Sequence, residues 1–264
     1  MIINRASLFV NREIPIEIYS DLWYDKKKRT FPREARVVLK EGEELEDLFE
    51  GNLKIIQNRA FYRFTSDSVL LSSFVNGKKR DVVADFCAGS GIVGIHFYAL
   101  NPHVSSVTLF EMQEELSDMS ARSVELNGLK NFTAVCCRVQ EIGREYDDRF
   151  SLILCNPPYE RGGFEKEDYK KAICRKEITI TLPEIVETAY RKLRFGGRFA
   201  LVNRADRLAE VLFAMKARGI EHKRLQFVRG KEGAKPYLFL VEGTKGAKEG
   251  LDILPDAVNT LKNF

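Results

Sequence analysis

Histidine is scarce in this sequence, and so are the spacings that bind metals. Three histidines occur among 264 residues, and no shared spacing relates them. The five cysteines are an odd number, and they show no spacing typical of a metal site. Because Cys136, Cys137 and Cys155 lie in or beside apolar runs, we interpret the cysteines as reduced structural thiols. The sequence therefore predicts neither a metal site nor catalysis by histidine.

Long hydrophobic runs are also absent. No stretch approaches the ~20 apolar residues that cross a bilayer, and the first residues, Met1–Arg5, contain no apolar segment of a signal peptide. We therefore expect a soluble, cytoplasmic protein with no membrane partner. A chain in which 44% of the residues are hydrophobic can nevertheless bury one substantial core. Neither repeats nor low-complexity tracts divide it, and no obligate protein partner is evident.

What the sequence does contain is a regular alternation of strand-like and helix-like segments after Gly51. Such alternation predicts an α/β fold, in which a mainly parallel sheet has helices on both faces. The loop at 230–236 is too short for a helical crossover, so the last two strands should pair antiparallel. The predicted strands are 82–86, 106–110, 132–136, 151–155, 198–203, 223–229 and 237–242, and the predicted helices are 91–100, 113–127, 182–194 and 205–218.

The first predicted strand, 82–86, runs into a glycine-rich turn at the start of a helix. Gly89 and Gly91 allow a ligand to approach the backbone closely, and Gly89–Gly94 matches the G-x-G-x-x-G pattern of dinucleotide sites, which has low specificity on its own. Asp85 lies four residues before Gly89, where its carboxylate would repel a pyrophosphate but attract the ammonium group of S-adenosylmethionine. The turn therefore favours that cofactor over a nicotinamide dinucleotide.

An acidic residue follows the second predicted strand. Glu111 closes the apolar run 106–110 and comes 20 residues after Gly91, which is the offset of an acid that binds the two hydroxyls of a cofactor ribose. Both candidate cofactors contain such a ribose, so Glu111 does not distinguish them. The neighbouring Met112 is either a contact for the adenine ring or a partly buried residue at a helix start.

The tetrapeptide Asn-Pro-Pro-Tyr at 156–159 directly follows the apolar run 151–155. In an open α/β fold this position is the carboxyl edge of the sheet, where ligands bind. The two prolines restrict the backbone, so the Asn156 side-chain oxygen and the Pro157 carbonyl would be two fixed acceptors for a planar amino group. Tyr159 would stack on the ring that carries this group. A plain Pro-Pro turn explains the prolines but neither Asn156 nor Tyr159.

These residues resemble the class I S-adenosylmethionine-dependent methyltransferases, and the Asn-Pro-Pro-Tyr motif is similar to that of their amino-methylating branch. Over roughly residues 41–258, the chain also resembles the bacterial family that contains tRNA1(Val) (adenine-37-N6)-methyltransferase. The resemblance implies a Rossmann-like, seven-stranded, mainly parallel sheet with an antiparallel last strand, and methylation of the N6 amino group of an adenine beside a valine tRNA anticodon. It predicts a methyltransferase domain at 41–264 after an extension of unknown role at 1–40. The matching segments are 53–58, 64–71, 193–202 and 250–255.

The resemblance assigns a role to each predicted site residue. Asn156 and Pro157 would hold and polarise the amino group, Pro158 would stiffen the turn, and Tyr159 would stack on the base. The polar segment 160–178 is either a cover for the bound base or an exposed loop. The residues predicted to bind the cofactor are Asp85, Cys87, Ala88, Gly89, Gly91, Glu111, Met112 and Gln140, with Thr65 and Ser66 near its methionine end.

Two positions depart from the family pattern. Cys87 stands where such loops carry a first glycine, which is compatible with the fold if the backbone keeps a negative φ there. Arg138 occupies the place of an acid that binds the amino group of the cofactor adenine. Because arginine cannot accept that hydrogen bond, we expect Gln140 or a backbone carbonyl to accept it.

Charge is unevenly distributed along the chain, whose net charge is +4. Residues 41–135 carry 8 Lys/Arg and 14 Asp/Glu, whereas residues 190–235 carry 13 and 4. The second region is a candidate surface for RNA phosphates, although single residues in it can equally solvate helix faces. The basic run at 26–29 is a candidate RNA-binding arm. The predicted partner is accordingly tRNA.

Several other functions would use similar residues. A DNA adenine or cytosine methyltransferase, an rRNA guanine-N2 methyltransferase and a protein-glutamine methyltransferase would each present an NH2 group to the same acceptors. A nicotinamide oxidoreductase could use Gly89–Gly94 but would leave Asn156 and Tyr159 without a role. A catalytically silent RNA-binding relative could keep the fold, although the intact Asn156 and Tyr159 argue against it.

Overall fold

The computed structural model describes residues 37–48, 53–58, 61, 66–159 and 179–260. Within these residues the chain forms a hairpin and a large sheet with its helices. The strands are β1 (Glu43–Leu48), β2 (Leu53–Asn58), β3 (Val82–Phe86), β4 (Ser106–Glu111), β5 (Phe132–Cys136), β6 (Phe150–Cys155), β7 (Leu193–Arg204), β8 (Ile220–Arg229), β9 (Pro236–Lys245), β10 (Asp252–Ile253) and β11 (Ala257–Val258), and the α-helices are α1 (Ser66–Phe74), α2 (Ile92–Leu100), α3 (Glu114–Leu126), α4 (Leu182–Lys192) and α5 (Leu208–Ala217).

The large sheet confirms the predicted fold class. Its strand order is β10-β8-β9-β7-β6-β3-β4-β5, and β11 also pairs with β8. As predicted, β9 is antiparallel to β7 and β8, whereas the other neighbouring strands are parallel. The seven predicted strands are all present, and the two-residue strands β10 and β11 extend the sheet beyond them. The sheet is therefore mainly parallel with one reversed strand near one side.

Two hydrophobic cores lie on opposite faces of this sheet, because successive side chains along a strand point to alternate faces. Leu152 and Leu154 of β6 pack with α1 and α2 in one core. Ile153 and Cys155 of the same strand pack with α4 and α5 in the other. Helices thus cover both faces of the sheet, and the ends of the strands remain as the place for a ligand.

The helix predicted at 182–194 ends earlier than expected. α4 stops at Lys192, and Leu193 already pairs with Phe150 as the first residue of β7. The last carbonyls of a helix have no partner within the helix. Here the Lys245 ammonium donates to the carbonyls of Tyr190 and Leu193 at 2.9 and 2.7 Å. A contact from a distant strand therefore terminates the helix.

The hairpin of β1 and β2 and the helix α1 were not predicted. The side chains of Ser123 in α3 and of Asn127, its C-cap, form the hydrogen bonds to the β2 backbone that a neighbouring strand would otherwise form. Ser123 Oγ accepts a hydrogen bond from the Ile56 N–H at 3.0 Å. Asn127 accepts one from the Lys54 N–H at 2.9 Å and donates one to the Lys54 carbonyl at 2.7 Å. The hairpin is thus held by a helix that lies more than 60 residues further along the chain.

Several predictions concern residues that the structure does not describe. The basic run at 26–29, Thr65 and the segment 160–178 lie outside the described residues, as does most of the extension at 1–40. Among the helices that are described, none has both the length and the apolar character of a transmembrane span.

Candidate active site

A cleft opens at the carboxyl ends of β3, β4, β5 and β6. Its empty volume is about 1000 Å³, solvent at its mouth included. Parallel strands end at the same edge of a sheet, so the turns that follow these four strands converge there. The predicted site residues that line the cleft are Cys87, Ala88, Gly89, Glu111, Met112, Gln140, Asn156, Pro157, Pro158 and Tyr159.

The turn between β3 and α2 contains three residues with positive φ. The φ angles of Gly89 and Gly91 are 56° and 91°, and Gly91 is the N-cap of α2 rather than part of the cleft wall. The φ angle of Cys87 is 58°, so the condition of a negative φ, under which a cysteine was compatible with this turn, is not met. A residue other than glycine costs about 1–2 kcal/mol in this conformation. The next residue is fixed by a hydrogen bond from the Ala88 N–H to the Phe110 carbonyl at 3.0 Å.

Asp85 is fully buried at the end of β3 and does not form part of the cleft wall. Its Oδ2 accepts a hydrogen bond from the Gly94 N–H at 2.9 Å, while its Oδ1 has no partner among the described residues. Burial, and less strongly the charge of Glu111, raises the pKa of Asp85 to about 8. A cation close by would favour the ionised form. This unsatisfied carboxylate oxygen therefore fits a site for a cofactor that carries an ammonium group.

Glu111 ends β4 and forms part of the cleft wall. Its Oε2 accepts a hydrogen bond from the Gly89 N–H and its Oε1 accepts one from the Gln113 N–H, both at 2.9 Å. Burial raises the pKa of Glu111, and these hydrogen bonds act in the opposite direction. Since each carboxylate oxygen can accept a second hydrogen bond, Glu111 fits the two hydroxyls of a ribose.

The Asn-Pro-Pro-Tyr motif leaves the end of β6 and is held at both ends by α1. The Asn156 Nδ2 donates to the Ser68 Oγ at 3.0 Å. The Tyr159 hydroxyl donates to the carboxylate of Asp67. The two prolines between them are buried, whereas Asn156 and Tyr159 are partly exposed along the cleft. The motif is thus a short, supported segment beside the predicted cofactor site.

The remaining predicted residues have different surroundings. Gln140 lines the cleft, and its Nε2 donates to the Thr179 carbonyl at 2.9 Å. Arg138 is exposed and is not part of the cleft wall. Ser66 also lies outside the cleft wall, and its hydroxyl accepts a hydrogen bond from the Asn259 Nδ2 at 2.8 Å. Gln140 thus lies on the cleft wall, whereas Arg138 and Ser66 do not.

Sequence reasoning missed part of the cleft. Ser68 was missed because α1 was not predicted. Cys137 and Val139 lie shortly before Gln140, just after β5, and their position at the end of a predicted strand was a usable signal. The cleft residues that had not been predicted are Ser68, Ser90, Ile92, Val93, Phe110, Gln113, Leu116, Cys137, Val139, Thr179 and Ile180.

The basic region at 190–235 is largely paired with carboxylates. Eight of its thirteen cations form ion pairs. Arg198 is buried between Asp81 and Glu242, and Lys192 is fully buried. These two residues therefore belong to the interior and do not face a substrate. The six other paired cations are Arg204, Arg207, Lys216, Arg218, Arg224 and Arg229.

Fold and cleft together define the class of this protein. The structure has the mainly parallel sheet with one reversed strand, and the glycine-rich turn followed one strand later by Glu111, that the resemblance to class I methyltransferases predicted. The protein is a class I S-adenosylmethionine-dependent methyltransferase, as the sequence predicted. More specifically, the chain belongs to the methyltransferase small domain family, whose model matches residues 64–221.

Curated relatives with related names are distant in sequence. The chain is 23% identical over 189 residues to a protein of Shewanella halifaxensis (strain HAW-EB4) named tRNA1(Val) (adenine(37)-N6)-methyltransferase. The matched region covers 70% of this chain and 76% of that protein. A protein of the same name from Dickeya chrysanthemi (strain Ech1591) is 25% identical over 153 residues, or 56% of this chain and 59% of that protein.

Solved structures with a similar fold are equally distant. A predicted O-methyltransferase from Agrobacterium tumefaciens superposes with a TM-score of 0.59 at 21% identity, over 74% of this chain and 88% of that one. The tRNA m1G37 methyltransferase of M. jannaschii superposes with a TM-score of 0.55 at 12% identity, over 78% of this chain and 58% of that one. At these identities the structures establish the shared fold.

Proposed function

We propose that this protein transfers the methyl group of S-adenosylmethionine to the exocyclic N6 amino group of an adenine in tRNA, the anticodon-loop adenine of a valine tRNA being the first candidate. The observation that carries the proposal is the Asn-Pro-Pro-Tyr motif at 156–159, which lines the same cleft as Gly89 and Glu111. The names of the curated relatives support the choice of substrate.

The proposed chemistry depends on alignment more than on acid–base catalysis. The bound cofactor supplies an electrophilic methyl group on its sulfonium. Asn156 and Pro157 accept hydrogen bonds from the target amino group, Pro158 keeps the turn rigid, and Tyr159 stacks on the base. In-line attack by a held neutral amine needs no strong base, and fixed alignment lowers the entropic part of the barrier.

The cofactor would be held by residues of the glycine-rich turn and by those after β4 and β5. In this proposal Glu111 binds the ribose and the Asp85 carboxylate attracts the ammonium group. Gln140 accepts a hydrogen bond from the amino group of the cofactor adenine. Thr65 and Ser66 are proposed near the methionine end. The other proposed cofactor contacts are Cys87, Ala88, Gly89 and Met112, which line the cleft, whereas Gly91 shapes the turn as the N-cap of α2.

The substrate assignment has a physical basis beyond the names of relatives. An adenine in an anticodon loop is already unpaired, so its entry into the cleft costs less than the extrusion of a base from a duplex. An enzyme that acts on tRNA would work in the cytoplasm. We further propose that residues 41–264 form the catalytic domain and that residues 1–40 are an extension to it.

A protein-glutamine methyltransferase is the second candidate. Its side-chain amide would present an NH2 group to the same acceptors. The basic region at 190–235 argued against a peptide substrate, but eight of its cations are paired with carboxylates. Because of this pairing, the basic region distinguishes RNA from a peptide substrate only weakly. Methyl transfer to tRNA and to protein must therefore be compared directly.

The decisive experiment is transfer of a labelled methyl group from S-adenosylmethionine to unmodified total tRNA, followed by nucleoside analysis. Ribosomal RNA, duplex DNA and a ribosomal protein fraction serve as parallel acceptors. We expect N6-methyladenosine in tRNA alone. Label confined to another acceptor would overturn the substrate while keeping the chemistry.

Replacement of the motif asparagine tests the chemistry itself. Asn156→Ala should abolish transfer and leave the affinity for S-adenosylmethionine, measured by calorimetry, almost unchanged, because Asn156 is proposed to hold the acceptor rather than the cofactor. Turnover retained by this variant would contradict the proposed role of Asn156.

A further inference from the structure

The first turn of α1 carries three consecutive polar residues, and each one is hydrogen-bonded to a residue more than 80 positions further along the chain. Ser66 accepts from Asn259 near the carboxyl end. Asp67 accepts from the Tyr159 hydroxyl, and Ser68 accepts from the Asn156 amide. We propose that Ser68 and Asp67 are positioning residues that hold the two ends of the Asn-Pro-Pro-Tyr motif, an inference that rests on the function proposed for this motif.

Ser68 supports the observed orientation of the Asn156 amide, in which Nδ2 faces the Ser68 hydroxyl. An asparagine amide has an acceptor oxygen on one side and an NH2 donor on the other. Because Nδ2 donates to Ser68, Oδ1 remains to accept from the substrate. The reverse orientation would place an NH2 group against the substrate NH2, and two donors form no hydrogen bond. Ser68 is 3% exposed, so water does not readily replace it.

Asp67 acts on the other end of the motif. Asp67 is 8% exposed, and its carboxylate accepts a hydrogen bond from the Tyr159 hydroxyl. The Tyr159 carbonyl also accepts from the Arg207 guanidinium at 3.5 Å. A ring that is already fixed loses little conformational freedom when a base stacks on it. Asp67 therefore keeps the stacking surface in place before the substrate arrives.

The turn itself is held firmly enough to serve this purpose. Leu70, Leu71 and Phe74 of α1 are buried in the core beneath the sheet. Supporting contacts of this kind determine how accurately a site is held.

Ser72 provides a matched control for Ser68. Both serines are buried on α1, but Ser72 contacts α2 and not the motif. Ser68→Ala should lower kcat about tenfold, as expected for the loss of one buried hydrogen bond, and change the dissociation constant of S-adenosylmethionine by less than about twofold. Ser72→Ala should leave kcat unchanged. Equal kcat for Ser68→Ala and the unmodified protein would overturn the proposal for Ser68.

The role of Asp67 can be tested with a double-mutant cycle. Asp67→Ala and Tyr159→Phe should each raise the KM for RNA several-fold. The double variant should be no worse than Tyr159→Phe, because Asp67 acts through the hydroxyl that this change removes. Additive effects would show that Asp67 acts by another route and would overturn its assignment.

A measurement without substrate separates this inference from the proposed function. In the full chain with 15N-labelled asparagine, the side-chain signals of Asn156 can be identified by their loss in Asn156→Asp. We expect these signals to shift or broaden in Ser68→Ala and to stay unchanged in Ser72→Ala. If the unmodified protein methylates no acceptor, this spectrum alone decides the inference. Unchanged Asn156 signals in Ser68→Ala would refute it even if tRNA is methylated.

Discussion

Replacement of Arg198 by methionine should destabilise the fold strongly, because Arg198 neutralises two buried carboxylates. Its guanidinium is 2.8 Å from Asp81 and 3.0 Å from Glu242, and it donates to the Asn76 carbonyl at 2.9 Å. Asp81 is 3% exposed and Glu242 is 5% exposed. Arg198→Met would leave both charges without this partner. Breaking a buried ion pair in this way costs about 3–5 kcal/mol.

Equilibrium unfolding in urea measures this loss. With a slope of about 3 kcal/mol per M, the midpoint for Arg198→Met should fall by roughly 1–1.7 M. The control is Arg204→Met, because Arg204 and its partner Asp206 have side chains that are 51% and 63% exposed. An exposed pair contributes about 0–1 kcal/mol, so the control should shift the midpoint by less than about 0.3 M.

A triple variant distinguishes two causes of the lost stability, namely the uncompensated carboxylate charges and the missing contacts of the arginine side chain. Combining Arg198→Met with Asp81→Asn and Glu242→Gln removes the uncompensated charges and should recover a large part of the lost stability. If Arg198→Met shifts the midpoint no more than Arg204→Met does, the argument from buried charge is refuted.

Three further predictions concern the cleft and the buried histidine. Burial raises the pKa of Asp85 to about 8, so the folded protein keeps a proton that the unfolded chain releases. The free energy of unfolding should therefore decline as the pH rises from about 4 to 8. Urea unfolding of Asp85→Asn should show no such decline. Burial lowers the pKa of His96 to about 4, so stability should also be lost as pH falls from about 6.5 to 4, and an unchanged acid slope in His96→Gln would contradict this. Glu111→Ala should weaken S-adenosylmethionine binding by about 10- to 100-fold in calorimetry, whereas the exposed control Glu114→Ala should not.

The sequence predicted the central sheet well because its signals are local. Six of the seven strands are mainly apolar runs bounded by polar or turn residues, and a buried parallel strand needs little else. The exception is the strand predicted at 223–229, in which four of the seven residues are polar or charged. The connection at 230–236 is too short for a crossover, which alone required β8 and β9 to be antiparallel. The hairpin of β1 and β2 was missed because its edge is satisfied by Ser123 and Asn127 of a distant helix.

The candidate site was predictable to the extent that topology brings strand ends together. Gly89, Glu111 and Asn156 follow three parallel strands and therefore meet in one cleft. The positive φ of Cys87 was not predicted, because no pattern in the sequence indicates it. The basic region at 190–235 was evident from composition, but composition does not reveal which charges are paired.

The sequence by itself determined the class of fold, the cofactor and the residues that reach the edge of the sheet. These depend on periodicity, turn residues and the order of strands, each of which can be recognised in short segments. Only the tertiary structure decided which side chains support them. Ser68 meets Asn156 across 88 residues, and Arg198 meets Asp81 across 117. Such contacts depend on the register of the strands and on how the helices pack against them, and both arise only when the whole core forms.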